Sequence, residues 1–432
     1  MKRAAKGKFW LSLVILSLIG QIAWVVENMY FNVFIYQMFH ASAAEISLMV
    51  AASAAAATLT TIFIGAFSDR VGKRKLFISA GYILWGISIL AFAALRVDVI
   101  GALFPKAVSA ASVGISLVII FDCLMTFFGS SANDACFNAW LTDATDDTNR
   151  GKAEGINAMM PLLAIIFVFG GTMWADTSNA RHWTILFLII GGVVLSIGLL
   201  SLFILEEPAR RPVAEGTYLG NILYGFRPAV VRENPGLYLT LGAFAVFSIS
   251  IQIFMPYLIL YYTEALKLSN YVLIMAPAVI LAAGFTAYYG RLYDRFGYEK
   301  TLLPALLLLL GGYGFLFLTR ATAPVFIGSL LMMSGYLAGC AVFGAKIRAC
   351  TPVGMAGRFQ GLRIVAQVLI PGIIGPAIGA AVLAGAEVVT NGDGTTSFIP
   401  NANIFLAAAA AIVPVLVMAL VQGRGPEKKQ GK

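Results

Sequence analysis

Apolar runs of about 20 residues, each long enough to cross a bilayer core of roughly 30 Å, recur twelve times along this chain. They occupy residues 9–36, 45–67, 76–95, 113–141, 155–175, 183–205, 237–263, 271–290, 301–319, 324–345, 363–386 and 403–422. A lone span inside lipid has to satisfy its own backbone N–H and C=O groups, so each run reads as a helix. The chain is 59% hydrophobic and 12% charged, against about a quarter charged for soluble domains. The expectation is an all-α membrane protein, with no run of sequence left for a separate soluble domain. The segment "MKRAAKGK" ahead of the first run is followed by no small-x-small cleavage site, so that run is read as helix one.

Lys and Arg decide the orientation, because they accumulate in cytoplasmic connections. With the N-terminus inside, the cytoplasmic segments hold 25 of the 30 basic residues, and the other side keeps Arg96, Lys106, Arg181, Lys267 and Arg320. Both termini are therefore expected in the cytoplasm, and the net charge of +9 is a signal of topology and of contact with the lipid bilayer rather than of nucleic-acid binding. Cys123, Cys136, Cys340 and Cys350 show no paired CxxC spacing, and His40 and His182 stand alone near outer loops. No GxxxxGK[ST] phosphate loop occurs. Neither a metal, a cofactor nor an enzymatic activity is expected.

Two charged connections repeat one pattern. "GAFSDRVGKRK" at 65–75 and "GRLYDRFGYEK" at 290–300 superpose on a shift of 225 residues, which places Gly65 on Gly290, Asp69 on Asp294, Arg70 on Arg295, Gly72 on Gly297 and Lys75 on Lys300. Each lies between the second and third run of a six-run half, and the longest inner connection, 206–236, separates the halves. The organisation expected is a six-helix bundle over 1–205, a cytoplasmic linker over 206–236 and a second six-helix bundle over 237–432. At these residues the chain resembles the major facilitator superfamily of secondary transporters, whose loop signature runs G-x-x-x-D-R-x-G-[RK]-[RK]. That resemblance implies two pseudo-symmetric six-helix bundles, a substrate site near mid-membrane, alternating access, and a monomer in the plasma membrane.

The glycines of such a loop suit a tight turn with positive φ. Asp69 can accept from a helix N-terminus or an arginine, while Arg70, Lys73 and Arg74 stay on the cytoplasmic face. Either these charges only set topology or they form a latch that breaks as the halves rock. Asp143 and Arg150 after helix four, and Arg358 between helices ten and eleven, occupy related inner positions. With Gly65, Gly72, Gly290, Asp294, Arg295 and Gly297 they make up the expected gate.

Polar residues inside the runs mark where lipid is not the neighbour. At 100° per residue Gln21, Asn28 and Asn32 fall within about 40° of one line on helix one, with Trp24 beside them. Helix four gathers Asp122, Thr126, Ser130, Asn133 and Asp134 within about 120°, with Asn138 further inward. A central acid costs roughly 2.5–3.5 kcal/mol on insertion, so such residues face a cavity or a partner. Glu27 and Asp134 lie deepest with no Lys or Arg in the core of the six N-terminal runs, which makes them places for a proton to bind and leave; Asp122 lines the cavity or takes part. Each also has a bland reading as a structural acid bonded to a neighbouring helix. In the second half Gln252 and Tyr257, then Gln367, are candidate ligands, although packing or interfacial roles are common for such residues.

Within the superfamily, "GQIAWVVENMYFNVF" looks like the first helix of plant sucrose-proton symporters and their animal relatives, through Trp24 and Glu27. "NAWLTDA" is similar to their helix-four segment at Asp143, with Asn138 where that group has an arginine. "NDACFNAW" resembles glycoside-cation symporters, whose cation-site aspartate falls on Asp134, but their paired helix-two aspartates have no counterpart here. Proton coupling and a small neutral sugar or glycoside are what this implies. Asn, Gln and carboxyl groups for hydroxyls, with Trp for an apolar ring face, make a coherent sugar pocket. Export of a drug-like compound by proton antiport is the alternative. A membrane sensor would need a longer cytoplasmic output domain.

Overall fold

The computed structural model describes residues 3–145, 149–207, 223–268, 270–352, 356–391 and 394–422. Eleven helices among them are long and apolar enough to cross a membrane. One of these, Val272–Leu318, is 47 residues long and breaks at Gly297 (φ 75°, ψ 179°), so it makes two passes and brings the count to twelve. They are named here α1 (Gly7–Phe39), α2 (Ala43–Val71), α3 (Arg74–Phe92), α4 (Ala110–Ala144), α5 (Arg150–Thr172), α6 (Ala180–Ile204), α7 (Pro235–Ala265), α8 (272–296), α9 (298–318), α10 (Thr322–Cys350), α11 (Gly361–Leu383) and α12 (Asn403–Gln422). The four cysteines are free.

Local chemistry sets the ends. The α2 start is a capping box, in which the Glu45 amide donates to Ser42 Oγ (3.3 Å) and the Ser42 amide donates to Glu45 Oε2 (2.8 Å). Ser109 caps α4, Asn179 caps α6, and Pro235 opens α7 where its missing N–H costs nothing. Four helices loosen into π-helical turns, at Val26–Tyr30, Ser130–Phe137, Tyr261–Ala265 and Val365–Leu369. Such bulges carry one extra residue per turn and recur at functional positions.

The chain forms two compact units. Unit 1 holds α1–α6 together with the segment Glu387–Ile399, a two-stranded antiparallel hairpin of β1 (Val388–Thr390) and β2 (Thr396–Phe398). Here α1 packs on α5 and α6, α3 on α6, and α2 on α4. Small residues permit these approaches, as lipid supplies no hydrophobic drive between helices. A Cβ on Gly86 of α3 would stand 2.4 Å from the Leu195 backbone of α6. Phe31, Phe34, Phe92, Trp183 and Phe187 pack together within unit 1, Phe187 meeting Phe31 and Phe34 edge-to-face. The hairpin binds the end of α1: Tyr36 Oη donates to the Phe398 carbonyl at 2.6 Å, and His40 Nδ1 meets Ser397 Oγ at 3.1 Å.

Unit 2 comprises Phe226–Ala386 and Pro400–Lys432. Its core runs along α7, which packs on α11 and α12, and along the α9–α10 contact. Gly375 and Gly379 of α11 let the helix press on Gln252 and Tyr257 of α7.

The two glycine-bounded connections are shorter than the sequence suggests. Helix α2 continues through Ser68, Asp69 and Arg70 to Val71, and the turn itself is Gly72 (φ 68°) and Lys73. Positive φ falls on Gly72 and Gly297 alone of the signature glycines. Gly65 and Gly290 are helical, so the expectation that they serve the turn is corrected: hydrogen bonds of α2 and α8 extend past them before the chain reverses.

Candidate functional site

Three helices of unit 1 place oxygen atoms around one carboxyl group. The π turn of α1 carries Glu27, which is 7% exposed. Ser53 of α2 donates to Glu27 Oε1 at 2.9 Å, and Thr126 of α4 donates to the same oxygen at 2.8 Å. The two hydroxyls are 2.8 Å apart. Asp122, one turn before Thr126 and 2% exposed, lies close enough to Glu27 and Ser53 to interact with both. Sequence reasoning had no cue for Ser53, a lone hydroxyl in "AASAAAAT", beyond the small residues that let α2 approach α4 closely.

Beside this cluster sits an aromatic pair. The rings of Trp24 (α1) and Trp85 (α3) have centroids 5.0 Å apart. Trp24 Nε1 is within reach of Asp134 without forming a hydrogen bond, and Asp134 accepts from Ser130 at 3.0 Å. Trp85 belongs to the site by geometry and was not singled out from sequence.

Buried polar groups in folded proteins are overwhelmingly paired, so those left over are informative. Among the described residues eight buried side-chain N or O atoms lack a partner, and seven lie on α1–α4: Trp24 Nε1, Glu27 Oε2, Asn32 Oδ1, Thr58 Oγ1, Thr61 Oγ1, Trp85 Nε1 and Asp122 Oδ1. The eighth is Tyr298 Oη in unit 2. Unpaired donors and acceptors are thus concentrated on α1–α4, the helices that also carry the carboxyls and the tryptophan pair.

Other candidates from the sequence separate into different places. The π turn between Trp24 and Asn32 breaks the 100° progression that aligned Gln21, Asn28 and Asn32 into one stripe. Gln21 is half-buried, Asn28 is exposed and donates to the Trp24 carbonyl (2.8 Å), and Asn32 is buried and donates to the Asn28 carbonyl (3.0 Å). Asn133 donates to Tyr82 Oη at 2.7 Å, and Tyr82 donates to the Leu16 carbonyl at 2.6 Å, a relay that joins α4, α3 and α1. Gly20 is required there, since a Cβ would lie 2.1 Å from Asn133 Nδ2. Asn138 is exposed and donates to the Asp134 carbonyl of its own helix.

In unit 2, Tyr257 is fully buried and donates to the Pro376 carbonyl at 3.3 Å, so its hydroxyl serves the α7–α11 contact. Gln252 is half-buried beneath Gly375, and Gln367 is half-buried on the π turn of α11.

The basic end of unit 1 carries a second cluster. Arg74, with a side chain 11% exposed, pairs with Asp69, reaches Asp143 Oδ2 at 3.4 Å and donates to Ser68 Oγ. Glu207, from the start of the long connection, accepts from the backbone amides of Arg74 (2.6 Å) and Lys75 (3.0 Å) and so caps α3. Glu207 escapes a motif-based reading because it joins α3 only through folding. Arg70 and Lys73 are exposed. The matching place in unit 2 differs: the shift of 225 puts Glu299 where Arg74 stands, and Asp294 and Arg295 are exposed. The side chains of Arg150 and Arg358 lie outside the described residues.

The chain matches the family model for the Major Facilitator Superfamily over residues 13–376. No match is found among curated protein sequences. Solved structures with the same fold include a bacterial homologue of the human lysosomal transporter Spinster, inward-facing and unoccupied, at 17% identity, with 98% of this chain and 95% of that one covered and a TM-score of 0.65. The nucleoside transporter NupG is similar at 13% identity, with 96% and 99% covered and a TM-score of 0.67. The xylose transporter XylE from E. coli, partially occluded and inward-open, is similar at 16% identity, with 98% and 99% covered and a TM-score of 0.67.

Proposed function

This chain belongs to the major facilitator superfamily, and we propose that within it the protein is a proton-coupled symporter of a neutral sugar or glycoside. As a member it is a multi-pass membrane transporter of small molecules and not an enzyme. On this reading it acts as a monomer in the plasma membrane with both termini in the cytoplasm. The halves are 1–205 and 237–432, joined by the linker 206–236, and transport proceeds by alternating access.

The observation that carries the proposal is the concentration of unpaired buried polar groups on α1–α4 beside a tryptophan pair. Indole N–H and threonine hydroxyl groups suit a ligand rich in hydroxyls, and an indole face suits the apolar face of a sugar ring. Glu27 and Asp122 add buried carboxyls and Asp134 a half-buried one, while Lys and Arg appear only at the ends of α1–α6. A carboxyl with no cation nearby and little water is where a transported proton can reside. One protein of this fold is a D-xylose-proton symporter, which fits the reading. The Asp69–Arg74–Asp143 cluster is the gate that forms and breaks during the cycle, with Arg70 and Lys73 on the same turn, and the loop around Asp294 and Arg295 is its counterpart in the second half.

The test is concentrative uptake beside counterflow exchange in proteoliposomes, over a panel of mono- and disaccharides. Glu27→Gln and Asp134→Asn should keep exchange but lose accumulation driven by a pH gradient, since an amide preserves size and hydrogen bonding but holds no mobile proton. Accumulation by both variants would sink the assignment. Outward movement of substrate on an inward proton gradient would replace uptake with export.

A further inference from the structure

At the end of unit 2 where α10 finishes and α11 begins, we infer a binding site for a phosphate group, built from Lys346 and Arg348 of α10, Arg363 of α11 and the hydroxyl of Tyr298 on α9. Lys346 Nζ stands 5.2 Å from the centre of the Tyr298 ring. Cys350, one turn further along α10, lies close to Tyr298 and to Tyr293 of α8. Arg348 lies close to Tyr293 and to Arg363. The three cations are thereby gathered around one pair of tyrosines.

These charges lack what neutralises a buried cation in unit 1, where Arg74, with a side chain 11% exposed, is met by Asp69 and Asp143. Among the described residues the other ion pairs belong to Arg96 and Lys267, and none of Lys346, Arg348 and Arg363 makes one. Asp294 and Glu299, the acids next to the two tyrosines in sequence, are exposed and pair with none of the three. Arg363 is half-buried, unlike Arg70 and Lys73, which are exposed as charges that only set topology are. Two guanidinium groups held near each other, one of them partly out of water, repel, and such an arrangement is retained where an anion comes between them.

An independent observation points to the same place. Tyr298 Oη is the one buried side-chain polar atom of unit 2 without a partner among the described residues, on a side chain only 8% exposed. A phenol beneath a lysine has a proton to donate, and a phosphate oxygen can accept it. The donor set selects the ligand. Guanidinium forks match phosphate oxygens in pairs, and an ammonium adds a point charge. A phosphate carries its oxygens tetrahedrally, so cations on different helices can meet it at once, whereas the two coplanar oxygens of a carboxylate suit a single guanidinium. Such a group comes either as the headgroup of an anionic lipid or as a soluble phosphorylated compound. On the orientation proposed above this end is cytoplasmic, but the site depends neither on that nor on sugar transport.

Purified full-length protein in an uncharged detergent is melted with increasing sodium phosphate or glycerol phosphate, against sodium chloride at constant ionic strength. Retention of phosphatidylglycerol against phosphatidylcholine is measured in parallel by native mass spectrometry. The wild type is expected to show saturable stabilisation by the soluble phosphates, which assigns a soluble ligand, or selective retention of phosphatidylglycerol alone, which assigns a lipid. Arg348→Gln and Arg363→Gln should each weaken this binding about tenfold and Tyr298→Phe about threefold. Arg232→Gln, which removes an exposed charge elsewhere in unit 2, should leave it unchanged. In chloride alone the order reverses: Arg363→Gln should melt at or above wild type, because it relieves the repulsion from Arg348. Equal behaviour of phosphate and chloride together with equal retention of the two lipids overturns the proposal, as does a loss in Arg232→Gln that matches the loss in Arg363→Gln. An Arg363→Gln variant that melts well below wild type in chloride makes Arg363 a structural residue and overturns it as well. If Arg348→Gln alone fails to fold, undiminished binding in both Lys346→Gln and Tyr298→Phe overturns it instead.

Discussion

Replacing Arg74 tests whether the basic end of unit 1 is held by one residue. Its guanidinium serves three side chains, but their contributions differ with exposure. Asp69 is 56% exposed, so its pair with Arg74 is worth no more than about 1 kcal/mol. Asp143 is 23% exposed at 3.4 Å, and a mostly buried carboxylate that loses its cation costs about 1–2 kcal/mol. Ser68 keeps its own bond to the Gly65 carbonyl (2.9 Å) and loses little. Arg74→Ala should therefore destabilise by about 2 kcal/mol, which at about 2–4 °C per kcal/mol lowers the melting temperature by about 4–8 °C. Arg74→Lys keeps the charge but not the planar fork and should recover about half of this. Asp143→Asn should cost less than Arg74→Ala, and Asp69→Asn least, while Asp69→Asn still slows transport if the pair is a gate. The assay is thermal unfolding in detergent beside exchange rates at matched expression. A melting temperature within about 1 °C of wild type for Arg74→Ala, or an Asp69→Asn variant as destabilised as Arg74→Ala, would refute the reasoning.

Alanine at the positive-φ positions Gly72 and Gly297 should cost about 1 kcal/mol each, whereas Gly65→Ala and Gly290→Ala should be neutral or slightly stabilising; equal melting temperatures for all four would contradict the helix ends described above. Gly20→Ala should disrupt the Asn133–Tyr82–Leu16 relay and destabilise by about 1–3 kcal/mol, read as a lower melting temperature and poorer recovery from the membrane. Trp24→Ala or Trp85→Ala should weaken sugar binding by about 1–3 kcal/mol with little change for Tyr257→Phe, which calorimetry with the transported sugar can compare. Asp176, between α5 and α6, is held below the usual carboxylate range by the hydroxyl and amide of Ser178. Its contribution to stability is complete above about pH 4 and is lost as pH falls through the depressed value, so Asp176→Asn should flatten the acid limb of the melting profile.

The membrane character, the number of passes and the duplicated half were legible in the sequence, because each rests on local chemistry. A run of 20 apolar residues can do little in lipid but form a helix, and a repeat of Gly, Asp, Arg and Gly at one spacing survives in any fold. Glu27, Asp122 and Asp134 were visible for the same reason: an acid within a span needs no tertiary information to be conspicuous.

Tertiary structure decided the rest. The π turns at Val26–Tyr30 and Ser130–Phe137 shift the facing of every side chain beyond them, so a stripe drawn at 100° per residue aligned Gln21 with two asparagines that bond to their own helix. Ser53, Trp85 and Glu207 carry no mark in sequence, because a serine among alanines, a tryptophan in a span and a glutamate after a helix are ordinary until another helix lies against them. Asn133 and Tyr257 carried the polar mark yet went to packing, since a buried donor takes the nearest acceptor the fold provides. Period and hydrophobicity are properties of one segment and can be read from it; which groups end unpaired depends on what three or four segments bring to the same point, and only the folded chain determines that.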